Sequence, residues 1–152
     1  MGDYAVESCA GRAGEFIIPD SVETIGRCAF YNCSNITSVT IGNGVTLINS
    51  YAFQNCTGLT GELVIPDNVE TIEYGAFYNC SNITGVNIGN GITSIGSAVF
   101  NGCSGITNLV IGENVTSISS YAFYGCSGLT GELVIPDNVQ TIDYGAFGGC
   151  SS

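Results

Sequence analysis

A cysteine returns every 23 or 24 residues throughout this chain. Cys9, Cys33, Cys56, Cys80, Cys103, Cys126 and Cys150 are separated by steps of 24, 23, 24, 23, 23 and 24. Phe30, Phe53, Phe77, Phe100, Phe123 and Phe147 keep the same beat. A unit of two dozen residues cannot enclose a core by itself. It has to bury its apolar face against the units before and after it, which predicts a solenoid. Residues 1–152 read as a single array of about six and a half coils. Met1-Gly-Asp3 enters in the middle of a unit, so a piece of a longer array is expected.

Two spacings alternate inside a unit. Leu63 and Ile65 lie two apart and are stopped by Pro66-Asp67-Asn68, which predicts a very short strand and a turn. Val69, Ile72, Ala76, Phe77, Cys80 and Ile83 then follow mostly at three- and four-residue steps. That spacing predicts a short helical or 3-10 segment with one buried face. The expected fold is an α/β repeat solenoid: a parallel sheet on one face and short helical pieces on the other. At roughly 4.8 Å per strand, the sheet would run on the order of 30 Å.

Several residues carry a resemblance. Ile106-Thr-Asn-Leu109-Val-Ile111-Gly-Glu-Asn114 fits the leucine-rich repeat frame L-x-x-L-x-L-x-x-N. Leu129, Leu133, Ile135 and Asn138 fit it with one residue added before the strand. The Ala-Phe-x-x-Cys and Ile-Pro-Asp-x-Val blocks resemble the BspA-like leucine-rich repeats of bacterial surface proteins, from Tyr4 to Cys150. That resemblance implies a curved right-handed solenoid, an extracellular or cell-surface location, and adhesion to other proteins.

Charge narrows the partners. The net charge is −11, Arg12 and Arg27 are the only basic residues, and there is no lysine or histidine. Such a chain cannot neutralise phosphates, which excludes nucleic acid and anionic membrane surfaces. No apolar run approaches ~20 residues, so membrane insertion is not expected. Glu15, Glu62 and Glu132 open coils that carry a one-residue insertion and an Ile-Pro-Asp turn, whereas Val39 to Gly61 and Val86 to Asn108 contain no acid. Skipping a coil moves equivalent carboxylates from ~5 Å to ~10 Å apart, near the screening length at 0.1 M salt. Glu113 beside Asp137 is the adjacent pair in the acidic column, either strained or holding a cation. No loop of convergent oxygens surrounds it. No metal or cofactor is expected.

Eight cysteines admit a disulfide framework, a zinc site or a ladder of buried free thiols. One cysteine per coil, after Phe-x-x in every coil but the first, where Val6 takes the Phe position before Cys9, favours the ladder. In it the thiol acts as a small buried hydrophobe. Cys28 falls off the beat and is the expected accessible thiol. Sequons at Asn32, Asn35, Asn55, Asn79, Asn82 and Asn114 follow from the repeat or accept glycans. Without histidine or lysine, any serine or cysteine nucleophile lacks a base, so an enzyme is not expected.

Two functions remain. Ile17, Thr40, Val64, Asn87, Val110 and Val134 should point outward from the strands. Their acidic rim would be Glu15, Asp20, Glu62, Asp67, Glu113, Glu132 and Asp137. An apolar stripe with such a rim suits a protein partner, although β-branched residues also favour strands for their own sake. The alternative is a structural, self-assembling element. Leu133-Val134-Ile135 is predicted to form an unpaired parallel edge beside Val139, Ile142 and Phe147, open to a homodimer through the C-terminal coil. The threonine column Thr37, Thr60, Thr84, Thr107 and Thr130 is too narrow for an ice-binding face.

Overall fold

Main-chain hydrogen bonds tie the coils along three lines, of which the two strand lines are interrupted and the third runs through the turns. The computed structural model describes residues 1–3, 13–130 and 133–150. In chain order its strands are β1 (Gly14–Ile18), β2 (Thr24–Ile25), β3 (Ile36–Ile41), β4 (Leu47–Ile48), β5 (Gly61–Ile65), β6 (Thr71–Ile72), β7 (Ile83–Ile88), β8 (Ser94–Ile95), β9 (Asn108–Val110), β10 (Ser117–Ile118) and β11 (Thr141–Ile142). The longer strands β1, β3, β5, β7 and β9 make the first line, and the two-residue strands make the second. Every pairing is parallel, as stacked coils of one direction require.

The third line corrects an expectation. Among the described residues there is no helix, and the segment expected to be helical is a run of turns. The N–H groups of Ala29, Tyr31 and Cys33 close local turns onto Gly26, Cys28 and Phe30 at 3.2, 3.0 and 3.1 Å. Those of Cys28, Phe30 and Asn32 instead cross to Ser50, Ala52 and Gln54 of the next coil at 3.1, 2.7 and 2.9 Å. A helix would use every N–H within its own segment. Here alternate donors leave the coil, so no helix can form. The alternation needs left-handed residues, with φ of 53° at Cys28 and 58° at Asn32. Asn55, Asn79, Gly102, Gly125 and Gly149 repeat the second of these positions with positive φ, and asparagine and glycine adopt that conformation at least cost.

The crossing bonds set the spacing of the core. Phe30, Phe53, Phe77, Phe100, Phe123 and Phe147 form a continuous stack, with ring centroids 4.8–5.4 Å apart and planes within 7° of parallel. Phe16 closes the N-terminal side edge-on, 4.8 Å from Phe30 at 73°. The cysteines pack beside this stack and are more than small hydrophobes. Each Sγ donates to the carbonyl of a phenylalanine one coil earlier: Cys56 to Phe30 at 3.0 Å, Cys80 to Phe53 at 3.0 Å, Cys103 to Phe77 at 3.1 Å and Cys126 to Phe100 at 3.3 Å. The thiol is a weak donor, yet it satisfies a buried acceptor that no aliphatic side chain could.

The stack generates a stability prediction. Phe77 is fully buried between Phe53 at 5.0 Å and Phe100 at 5.4 Å, whereas half-buried Phe147 is stacked on Phe123. Phe77→Ala is expected to cost ~3–5 kcal/mol in a denaturant melt, and Phe147→Ala clearly less. Equal losses would contradict the stack.

Candidate partner-binding site

Strand alternation puts the expected row on the surface. Ile17, Val64, Val110 and Val134 are 64 %, 50 %, 46 % and 66 % exposed, Thr40 is exposed and Asn87 half-buried, while Ile18, Ile65 and Ile88 beside them face the core. Ladder register sets Ile17 beside Thr40, and Val64, Asn87 and Val110 side by side. Val134 stands apart. Residues 133–135 join no ladder among the described residues, so this segment is not laddered to β9.

The acidic residues divide into two kinds. Glu15, Glu62, Glu113 and Asp137 are exposed, and Glu132 lies outside the described residues. Glu15 pairs with Ser38 and Glu62 with Gly85, so each carboxylate has a neutral neighbour in the following coil. Asp20 and Asp67 are bound into the frame instead. Their Oδ1 atoms accept the main-chain N–H of Asn43 and Asn90, each at 2.7 Å. Asn90 passes the same bond on to the N–H of Glu113 at 2.9 Å. The Glu113 carbonyl in turn receives the amide of Asn138 at 2.7 Å. These bonds tie Glu113 to the coils on either side through its main chain.

The long strands do not form one sheet. β1 pairs with β3, and β5 with β7 and β9, but no ladder among the described residues joins β3 to β5. The cause is the inserted residue. Leu59-Thr-Gly-Glu-Leu63 spaces its inward residues four apart, where Ile36-Thr-Ser-Val39 spaces them three apart. The longer segment meets the coil after it through a register shift at Gly61/Glu62 and parts from the coil before it. A cleft of about 290 Å³ results, lined by Ser38, Val39, Thr40, Ile41, Glu62 and Val64. An equivalent cleft, also about 290 Å³, lies between β9 and the last inserted coil, lined by Leu109, Val110, Glu113, Val134 and their neighbours. The row was legible in the sequence; the clefts were not.

Other expectations change. Cys28 is 7 % exposed and is not the accessible thiol. Side chains of its column lean onto the following coil, as Tyr51 does toward Gly75 and Tyr121 toward Gly145, and a short thiol there is covered. Cys33 is held in a disulfide rather than as a free thiol, and Cys9 lies outside the described residues. Sequon asparagines serve the frame: Asn55 donates to Asn32 Oδ1 at 2.9 Å and Asn79 to Asn55 Oδ1 at 3.0 Å. The threonine column is structural too, with Thr60 and Thr107 hydroxyls on the carbonyls of Thr37 and Thr84 at 3.3 and 3.0 Å. Sequence reasoning missed an aromatic surface. Tyr74, Tyr121, Tyr124 and Tyr144 are exposed on the turn side, with Tyr121 edge-on to Tyr124 and Tyr144 at 5.6 and 5.5 Å. Its signal was the return of Tyr51 and Tyr74 as Tyr121 and Tyr144, three coils on. No helix among the described residues is long and apolar enough to cross a membrane.

A family model described as a BspA type leucine rich repeat region matches residues 1–130 in six copies. No curated protein matches the chain in sequence. Among solved structures, a leucine rich cell surface protein from Faecalibacterium prausnitzii is 33 % identical over 99 % of this chain, with a TM-score of 0.84. The T. pallidum leucine rich repeat protein is 26 % identical over 99 % of the chain, with a TM-score of 0.90. A leucine-rich repeat protein from Bacteroides ovatus, 24 % identical over 94 % of the chain with a TM-score of 0.69, shares the fold. The chain spans 40 % of the Faecalibacterium protein, 69 % of the T. pallidum protein and 42 % of the Bacteroides protein.

The thiols supply a test. Burial pushes the Cys80 and Cys126 thiols well above the usual range, with neighbouring cysteines adding to it, and burial raises half-buried Cys150 as well. In native protein at pH 8, Cys150 is expected to alkylate first, while Cys28, Cys56, Cys80, Cys103 and Cys126 wait for unfolding. Protonated thiols favour the fold, so this stability is complete below the unfolded thiol value near ~8.5 and is lost as pH rises toward the higher folded values. Mass mapping of alkylated sites and melts from pH 7 to 10 check both; fast labelling of Cys80 would contradict the burial.

Proposed function

From membership of the BspA-type leucine-rich repeat family, to which this chain belongs, we propose a non-catalytic scaffold that binds another protein through its outward strand row. The observation that carries the reading is the row itself. Exposed Ile17, Val64 and Val110, with Thr40 and Asn87 between them, stand on laddered strands with carboxylates at their flank, and exposed Val134 extends the row into the last coil. An apolar centre with a charged rim is the anatomy of a protein interface, and side chains on a rigid frame lose little freedom on binding. The acidic flank selects a basic or mixed partner. The Faecalibacterium relative is called a cell surface protein, and by analogy this array presents the row outside the cell as an adhesion or recognition module.

Domains selected from a displayed library of extracellular proteins provide the test. The double variant Ile17→Arg/Asn87→Arg is expected to weaken their binding at least ~10-fold, about 1.4 kcal/mol, with an unchanged circular dichroism spectrum. Loss of binding on Tyr124→Ala instead would move the interface to the turn side.

A second reading, self-association, draws on exposed Ile142 and Tyr144 in the last coil. Under it the contact runs along β11 rather than residues 133–135. Light scattering over a concentration series should then plateau at a dimer that Ile142→Glu dissolves; a monomer at every concentration rejects it.

A further inference from the structure

We propose that the two clefts in the strand face act as a paired receptor for two arginine side chains on one extended partner segment crossing the strands. This rests on the strand row as the binding face and specifies what that face recognises.

The wall of the site is built twice. Val39, Thr40 and Val64 in the first cleft correspond to Leu109, Val110 and Val134 in the second, each 70 residues and three coils further on. Only the apolar wall repeats; the carboxylates come from different positions, Glu62 from the start of β5 in the first cleft and Glu113 from the turn after β9 in the second. At about 290 Å³ each, they sit at or below the small end of organic-ligand pockets, and their shape suits one long side chain. A flexible aliphatic stem can lie on the valines while its charged head reaches the carboxylate.

Charge identifies the occupant as basic, since the chain carries −11 with two cations of its own. The sheet break favours arginine over lysine. No ladder joins β3 to β5 among the described residues, so beyond the Thr37 carbonyl, which takes the Thr60 N–H at 3.0 Å, the main-chain edges of the cleft are open to a guest donor. A guanidinium brings five donors in a planar fork, enough for a carboxylate and a carbonyl together, where an ammonium brings three from one point.

Spacing identifies the segment. Three coils at about 4.8 Å each place the clefts ~14 Å apart, and an extended chain rises ~3.4 Å per residue with alternate side chains on one face. Arginines at positions i and i+4 span ~14 Å and point the same way.

Fluorescence anisotropy with the full chain and labelled Gly/Ser/Thr nonapeptides at 0.15 M salt tests this. The peptide with arginines at i and i+4 is expected to bind at least ~10-fold tighter than a one-arginine peptide, because the second contact is intramolecular. It should also exceed the i, i+2 isomer of equal charge. Glu62→Gln or Glu113→Gln should each reduce it to the one-arginine level. Glu73→Gln, which removes the same charge from an exposed position after β6 and outside the strand row and its rim, should leave it unchanged. Equal binding of the two isomers, an equal loss on Glu73→Gln, or no binding by any peptide overturns the proposal. The two readings fail separately. If Ile17→Arg/Asn87→Arg abolishes partner binding while arginine spacing is irrelevant, the face stands and the clefts fall. If spacing is obeyed and those substitutions leave the partner untouched, the clefts stand and the wider face falls.

Discussion

The division of main-chain N–H groups in the turn segment, half closing local turns and half reaching the next coil, fixes the distance at which coils stack. Phe53, Phe77, Phe100 and Phe123 donate to Ala76, Val99, Ala122 and Ala146 at 2.7–2.9 Å. The donor is the phenylalanine itself, so its ring is carried to the same place in each coil and meets the next ring about one strand spacing away. Cysteine follows from the same geometry. The carbonyl of Phe53 accepts the N–H of Cys56 at 3.2 Å in its own turn and the thiol of Cys80 at 3.0 Å from the next coil. Ring, thiol and amide columns therefore depend on each other. A coil without its neighbour would lose the bonds that shape it, which makes stability a property of neighbouring pairs.

Against that uniform spacing, the inserted residue of the glutamate coils is the main source of variety. Coils such as β1 and β5 join the coil after them, and β5 parts from the coil before it. Carboxylates consequently stand opposite Ser38 and Gly85. At the next corner the two coil types interlock. Gly89 passes so close to Pro66 and Asp67 that a Cβ would lie 2.7 Å from the Asp67 nitrogen. Glycine is thus required where the neutral coil crosses the Pro-Asp turn, and Asp67 then holds the N–H of Asn90. One insertion separates the charges and opens the clefts.

Much of this was legible in the sequence because periodicity reports burial. The Phe and Cys columns, the parallel direction and the outward row all follow from which residues return at which interval. The helical reading of Val69 to Ile83 failed because three- and four-residue steps report a buried face and not the path of the hydrogen bonds. Asn32, Asn55, Asn79, Gly102, Gly125 and Gly149 carried the missing signal, being the residues that tolerate left-handed φ where a helix would need none. Cys28 misled for a related reason. Leaving the cysteine beat indicated a different column but not an exposed one. The clefts could not be read at all, since they depend on which neighbour an inserted residue follows, a choice made by packing rather than by pattern.

The same frame determines where recognition can be written. Interior columns are fixed on both sides: a change at Phe77 or Cys80 disturbs the coils before and after it. Outward positions meet no such demand, and surface substitutions there usually shift stability by no more than ~0.5 kcal/mol. The row bears this out, running Ile17, Thr40, Val64, Asn87, Val110, Val134 while the phenylalanine column beneath keeps one residue type through six successive coils. Variation along the row changes what a partner meets without changing how the coils stack. The clefts extend this freedom from side-chain identity to backbone: one added residue alters the surface between two coils and leaves the phenylalanine stack within its 4.8–5.4 Å spacing. A repeat that confines its irregularities to the strand face can acquire a new binding surface without rebuilding its core.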